Sequence, residues 1–152
     1  MNGPVICGIE DETGSGVADV ARELAARYEF PLLYVHVLDD DGEMEQAVRM
    51  LRNAAPGPGE LAVERARHPA DRLVELAERR GASFLVVGNH GPRSSVLGSI
   101  SADVSRRARC PVVVVSPAAE AEAPGSEARS DEPEMRGGIV RFRVGSAVRQ
   151  VA

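Results

Sequence analysis

Five short apolar runs alternate with stretches of helical spacing, and that order limits the possible folds more than any other feature of the chain. The runs are residues 4–9, 31–38, 61–66, 83–88 and 110–116. Apolar runs of this length bounded by turn residues read as buried strands. Between them apolar side chains recur on one helical face: Val17, Val20, Ala21, Leu24 and Ala25, then Met44, Ala47, Val48 and Leu51, then Leu73, Val74, Leu76 and Ala77. Pro69 suits the first turn of the third helix and Gly81 its C-terminal cap. A fourth helix is expected over 99–107. The alternation predicts an α/β fold: a five-stranded parallel sheet with helices on both faces and right-handed crossovers. Residues 31–38 are apolar on both faces, as a central strand requires. Residues 61–66 alternate only weakly and belong nearer an edge.

Charge divides the 152 residues into three parts. Residues 1–116 carry the strand and helix pattern and form the expected domain. Residues 117–135 hold six acids and one Arg, the composition of a flexible acidic linker. Residues 136–152 hold four Arg and no acid. In this basic tail Val140, Phe142 and Val144 alternate with Arg141 and Arg143, which predicts a strand over 139–144. The net charge of −5 argues against nucleic acid or an anionic membrane as partner. No apolar run approaches the ~18 residues of a membrane span and no signal segment is visible, so a cytoplasmic location is expected. All 18 basic residues are Arg. Without Lys, the P-loop, Schiff-base and kinase-type mechanisms are excluded.

In an open parallel sheet, ligands sit beyond the carboxyl ends of the strands, where strand order reverses. Two loops have suitable chemistry. One follows the first strand at Gly8 and Glu10. The other runs from Gly88 through His90, Gly91 and Arg93 to Gly98, Ser99 and Ile100, entering a helix at its end. Glycines let a phosphate approach the backbone, helix-start N–H groups attract anions, and Arg93 adds a cation. This cradle needs no lysine. His36 reads as a satisfied core or strand-end residue and His68 as a cap-region residue. Cys7 and Cys110 read as packed thiols, and Asp39, Asp40 and Asp41 as a solvated acidic turn. No metal-ligand spacing and no catalytic grouping is present, so no enzyme is expected.

Residues 86–91, 97–101 and 109–115 together resemble the universal stress protein family, and the likeness in element order extends over about 4–116. The resemblance implies strand order 3-2-1-4-5 and an adenine nucleotide, ATP or AMP with Mg2+. On the matching positions it assigns Gly88, Gly91, Gly98 and Ser99 to phosphate, with Ile100 as the apolar residue after them. Val37 would pack on adenine, and Glu10 stands where members have Asp near the ribose. The spacer from Gly91 to Gly98 is six residues, where the ATP-binding pattern has nine. Ser83 replaces an acid that commonly precedes the fourth strand. The implied function is a non-enzymatic stress-response regulator with a further protein partner. The alternative is a nucleotide-free dimeric adaptor of the same fold. A homodimer is expected through the edge of the fifth strand, unless the tail strand pairs there instead.

Overall fold

The computed structural model describes residues 3–11, 14–89 and 98–116 in full, and the backbone of 134–136, 139–144 and 147–151. The elements of the first part are β1 (Val5–Gly8), α1 (Ser15–Tyr28), β2 (Leu32–Leu38), α2 (Met44–Ala54), β3 (Glu60–Arg65), α3 (Pro69–Arg80), β4 (Phe84–Gly88), α4 (Ser99–Arg107) and β5 (Val112–Val115). Beyond them lie β6 (Glu134–Arg136), β7 (Ile139–Val144) and β8 (Ala147–Val151). The sheet order is β3-β2-β1-β4-β5-β8-β7-β6. Its first five strands are parallel and carry the expected 3-2-1-4-5 order.

Strand alternation splits the core between the two faces of the sheet. Val5, Cys7, Tyr34, Val86, Val113 and Val115 face one way, onto Val17, Ala21 and Ala25 of α1 and Leu51 of α2. Ile6, Leu33, Val35, Leu85, Val87 and Val114 face the other, onto Leu73 and Ala77 of α3 and Val104 of α4. Each Val or Leu so buried contributes about 1.5–3 kcal/mol. The helix boundaries follow local chemistry. Pro69 opens α3, and Gly81 closes it in the left-handed region at φ 59°, its N–H donating back to the carbonyls of Ala77 and Glu78. The Ser83 hydroxyl, in place of an acid, donates to the Gly3 carbonyl at 2.8 Å and ties β4 to the start of β1.

β3 is the partly exposed terminal strand that its weak alternation predicts. At the far side of the parallel part, β5 is followed by the chain's own β8, running antiparallel with Val113, Val114 and Val115 opposite Val151, Gln150 and Arg149. The tail, one of the occupants the sequence left open for this edge, pairs there through β8. β7 covers the expected 139–144, while β6 and β8 were not expected. Residues 134 and 135, assigned by charge to the linker, pair with Arg141 and Val140 in β6. Residues 117–133 of that linker lie outside the described residues.

Two glycines make opposite predictions for one substitution. Gly16 is exposed in α1, and a Cβ there would meet nothing within 4 Å. Gly16→Ala is expected to stabilise the chain by about 0.5–1 kcal/mol through helix propensity. Gly59 has φ 144°, and its Cβ would lie 2.7 Å from Cε2 of the fully buried Tyr34 ring. Gly59→Ala is expected to destabilise by about 1–3 kcal/mol. Urea denaturation of both variants, read as midpoint shifts of opposite sign, checks the pair.

Candidate functional site

β1 lies between β2 and β4, so the chain leaves β1 in one direction to build β2 and β3 and returns on the other side as β4. The reversal opens a crevice at the carboxyl ends of β1 and β4, the general position for ligands in this architecture. A cavity of about 560 Å³ occupies it, within the range that takes a small organic ligand. Gly8 and Glu10 come to it from β1, Val37 from β2, Gly88 from β4 and Ile100 from α4. Five of the sequence-expected residues therefore share one cavity.

Gly98 and Ser99 are not among its lining residues; they stand at the start of α4, which begins at the expected residue, next in sequence to Ile100. The Gly98 N–H is already engaged, donating to Asn89 Oδ1 at 2.9 Å. Gly98, the N-cap residue of α4, has no side chain of its own to cap the helix. His90, Gly91 and Arg93 lie outside the described residues.

The wall nearest β2 is built by a parallel register that sets Gly8 opposite Val35. The Ile9 N–H then donates to the Val35 carbonyl at 2.8 Å, and the His36 ring reaches the Ile9 carbonyl with Nδ1 at 2.8 Å. A carbonyl only accepts, so His36 carries its proton on Nδ1 in that contact, and the neutral ring has Nε2 as an acceptor. His36 is thus a satisfied strand-end histidine, as expected, and also lines the cavity, which was not. Pro69 and Leu73 of α3 complete the apolar wall.

Glu10, Asp39 and Asp41 make the rim acidic, and no Arg is among the described lining residues. The acidic turn is held from behind. Arg65 Nη1 donates to the carbonyls of Asp39, Asp40 and Gly42 at 3.3, 3.1 and 3.1 Å. Among the described residues no three His, Cys, Asp or Glu side chains stand close enough to hold a metal ion. On the helix side, Arg107 of α4 hydrogen-bonds Asp71 of α3, which holds the Asp71 carboxyl below its usual range. This pair joins the two helices that flank the cavity.

The cysteines are packed thiols. Burial pushes the Cys7 thiol far above its usual range, only partly opposed by the Arg22 charge. Burial raises half-buried Cys110 as well. Neither lines the cavity. Among the described residues no helix is long and apolar enough to cross a membrane.

With this geometry in place, comparison with known proteins places the chain. The model of the universal stress protein family matches residues 40–116, half of the chain. Two universal stress proteins of Mycobacterium tuberculosis, from strains CDC 1551 / Oshkosh and H37Rv, are each 48% identical to it over 50 residues. That stretch is 31% of this chain and 34% of theirs, so the aligned part spans about a third of those relatives. A universal stress protein solved in complex with cAMP is 28% identical and superposes with a TM-score of 0.57, covering 74% of this chain and 95% of its own. The universal stress protein of Archaeoglobus fulgidus in complex with dAMP shares the fold at 23% identity, with a TM-score of 0.58 over 75% of this chain and 98% of its own. Strand order, the crevice between β1 and β4, and the family match over 40–116 agree that the chain belongs to the universal stress protein family.

Proposed function

We propose that this chain binds an adenine nucleotide in the cavity between β1 and β4 and acts as a non-enzymatic, cytoplasmic stress-response regulator. The observation that carries this reading is the cavity itself, at the reversal of strand order and lined by Gly8, Glu10, Val37, Gly88 and Ile100. Val37, Leu73 and Ile100 offer an apolar slot for a base. Glu10 supplies a hydrogen-bond acceptor of the kind that ribose hydroxyls satisfy. Gly88 leaves space for a phosphate to approach backbone.

The electrostatics favour a nucleotide of low charge. Three carboxylates line the cavity, and the Gly98 N–H that would serve a phosphate is engaged by Asn89. AMP or cAMP fits these conditions better than ATP, and the 28%-identical neighbour was solved with cAMP. Any Mg2+ would arrive with the phosphates, since the described residues offer no cluster to hold it. Ligand would act by changing the surface formed by 88–99, read by a protein partner. A homodimer through β5 requires β8 to leave that edge or to come from the second chain.

Calorimetry with AMP, cAMP, ADP and ATP, each with magnesium, tests the reading. Saturable one-site binding is expected, tighter for AMP and cAMP than for ATP by about tenfold, the effect of about 1.4 kcal/mol of charge repulsion. No heat and no thermal shift up to millimolar ligand would overturn it. The second reading, a nucleotide-free adaptor, draws on the same Asn89–Gly98 bond, which satisfies the start of α4 without any ligand.

A further inference from the structure

Asn89, Ser101 and Ser116 are the buried polar side chains among the described residues, at 4%, 1% and 2% exposure. All three meet at one junction, where the end of β4, the start of α4 and the end of β5 come together. The Asn89 N–H donates to the Val115 carbonyl at 2.8 Å. Its Oδ1 accepts from the Gly98 N–H at 2.9 Å, and its Nδ2 reaches Ser116 Oγ at 3.5 Å. The Ser101 hydroxyl donates to the Gly98 carbonyl at 3.1 Å, so both polar groups of the Gly98 backbone are held within this junction. Burying polar groups is costly unless they are satisfied, and a satisfied network fixes one arrangement of its elements. Away from it the described core is mainly apolar, with the Tyr34 hydroxyl and Ser105 Oγ also buried, and the hydrogen-bonded network lies where α4 joins the sheet.

We propose that Asn89 is a positioning residue for the cavity. Its carboxamide fixes the first turn of α4 against the ends of β4 and β5. That turn carries Ile100 into the cavity wall. It also brings together residues 89 and 98, the two ends of the segment assigned to phosphate. Asn89 therefore acts through Gly98 and Ile100, not by contact with the base. Asn suits the position because one side chain must accept from a backbone N–H and donate to a hydroxyl. Asp retains the acceptor but adds a buried charge. Leu keeps the volume and removes both functions.

The proposal rests on the adenine nucleotide reading for its ligand, and two measurements keep the two claims apart. The first needs no ligand: amide hydrogen exchange at Gly98 in the full chain. Protection in the wild type, with exchange at least tenfold faster in Asn89→Leu and near wild type in Asn89→Asp, is expected. Equal protection in the wild type and Asn89→Leu would overturn the positioning role. The second is calorimetry with AMP and cAMP from pH 7.5 to 5. Asn89→Leu is expected to bind at least tenfold more weakly at every pH. Asn89→Asp is expected to bind at least tenfold more weakly at pH 7.5 and to recover as its carboxyl protonates. Glu10, Asp39, Asp41 and His36 are the other ionisable residues lining the cavity, so recovery is read as the difference from the wild-type profile. Wild-type affinity in both variants at pH 7.5 would overturn the proposal. A wild type that binds neither nucleotide, while Gly98 exchange still responds to Asn89→Leu, overturns the nucleotide reading and leaves the positioning of α4 supported.

Discussion

Denaturation in urea from pH 8 to 11 will show the chain losing about 3 kcal/mol of stability, most of it through one thiol. Cys7 lies in the middle of β1, opposite Tyr34 and Val86 in its two neighbours, and is fully buried. Desolvation holds its proton far above the ordinary range. In the unfolded chain the same thiol ionises near its ordinary pKa, about 8.5. Below that pH both states bind the proton and the full stability is present. Above it the unfolded state releases the proton while the folded state keeps it, so stability falls as pH rises, by about 1.4 kcal/mol per unit. Tyr34 is raised by the same burial and adds a decline of the same sign from about pH 10. A domain holds only about 5–15 kcal/mol in total, so the loss is large. Cys7→Ala is expected to be less stable at neutral pH but much flatter from pH 8 to 10. Equal slopes in the wild type and Cys7→Ala would remove Cys7 as the cause.

The parallel core was legible because each element carries its own punctuation. Pro69 and Gly81 mark the limits of α3, Gly88 ends β4, and the apolar runs are too short to be helices. Sheet order, once given, fixes which loops share a crevice, which brings Gly8, Glu10, Gly88 and Ile100 together, while Val37 is pointed to by the family resemblance alone. The features that escaped depend on pairing between distant residues. β6 consists of Glu134, Met135 and Arg136, which read as part of a charged linker, and it is a strand only because β7 lies beside it. β8 carries Arg149 and Gln150 between its apolar residues and has no local strand signal comparable to four successive valines. Strand formation of this kind follows neighbours more than intrinsic preference.

The cavity shows the same division. His36 is placed by the register between β1 and β2, which brings its ring to the Ile9 carbonyl twenty-seven positions away. Leu73 served as a core residue in the helical pattern, and it fills both roles, packing under the sheet and closing the cavity. Asn89 stands between Gly88 and Gly91 with no local signal of its own. Its partner Gly98 is nine residues later, and only the meeting of β4, α4 and β5 brings the two together. The acidic rim had a signal in Asp39 and Asp41, but its relation to the cavity required the path of β2.

Closing the cavity from within should abolish nucleotide binding while leaving the fold intact, and Gly8 is the position from which to do it. A Cβ there would lie 3.1 Å from Leu73 Cδ1 and 3.5 Å from both Leu73 Cδ2 and Val87 Cγ1. The first contact is tight, but its partner is the end of a flexible side chain, so one methyl is accommodated by a small movement of Leu73. Leu73 also lines the cavity, so its displacement reshapes that wall. Gly8→Ala is expected to weaken AMP and cAMP binding by about tenfold and to cost about 1 kcal/mol of stability. Gly8→Val places two further methyl groups at the carboxyl end of β1, beside Leu73 and Val87 at the cavity wall. A loss of affinity of at least about a hundredfold is expected, equal to about 2.7 kcal/mol or more. The stability cost should stay within the ~1–3 kcal/mol typical of overpacking, because the backbone is regular strand and β-branched residues suit it. Calorimetry beside urea denaturation separates the two effects. Gly16→Ala, remote from the cavity, is the control expected to bind as the wild type does. Nucleotide binding by a folded Gly8→Val chain with wild-type affinity would move the ligand out of this crevice and leave the cavity without the role assigned to it.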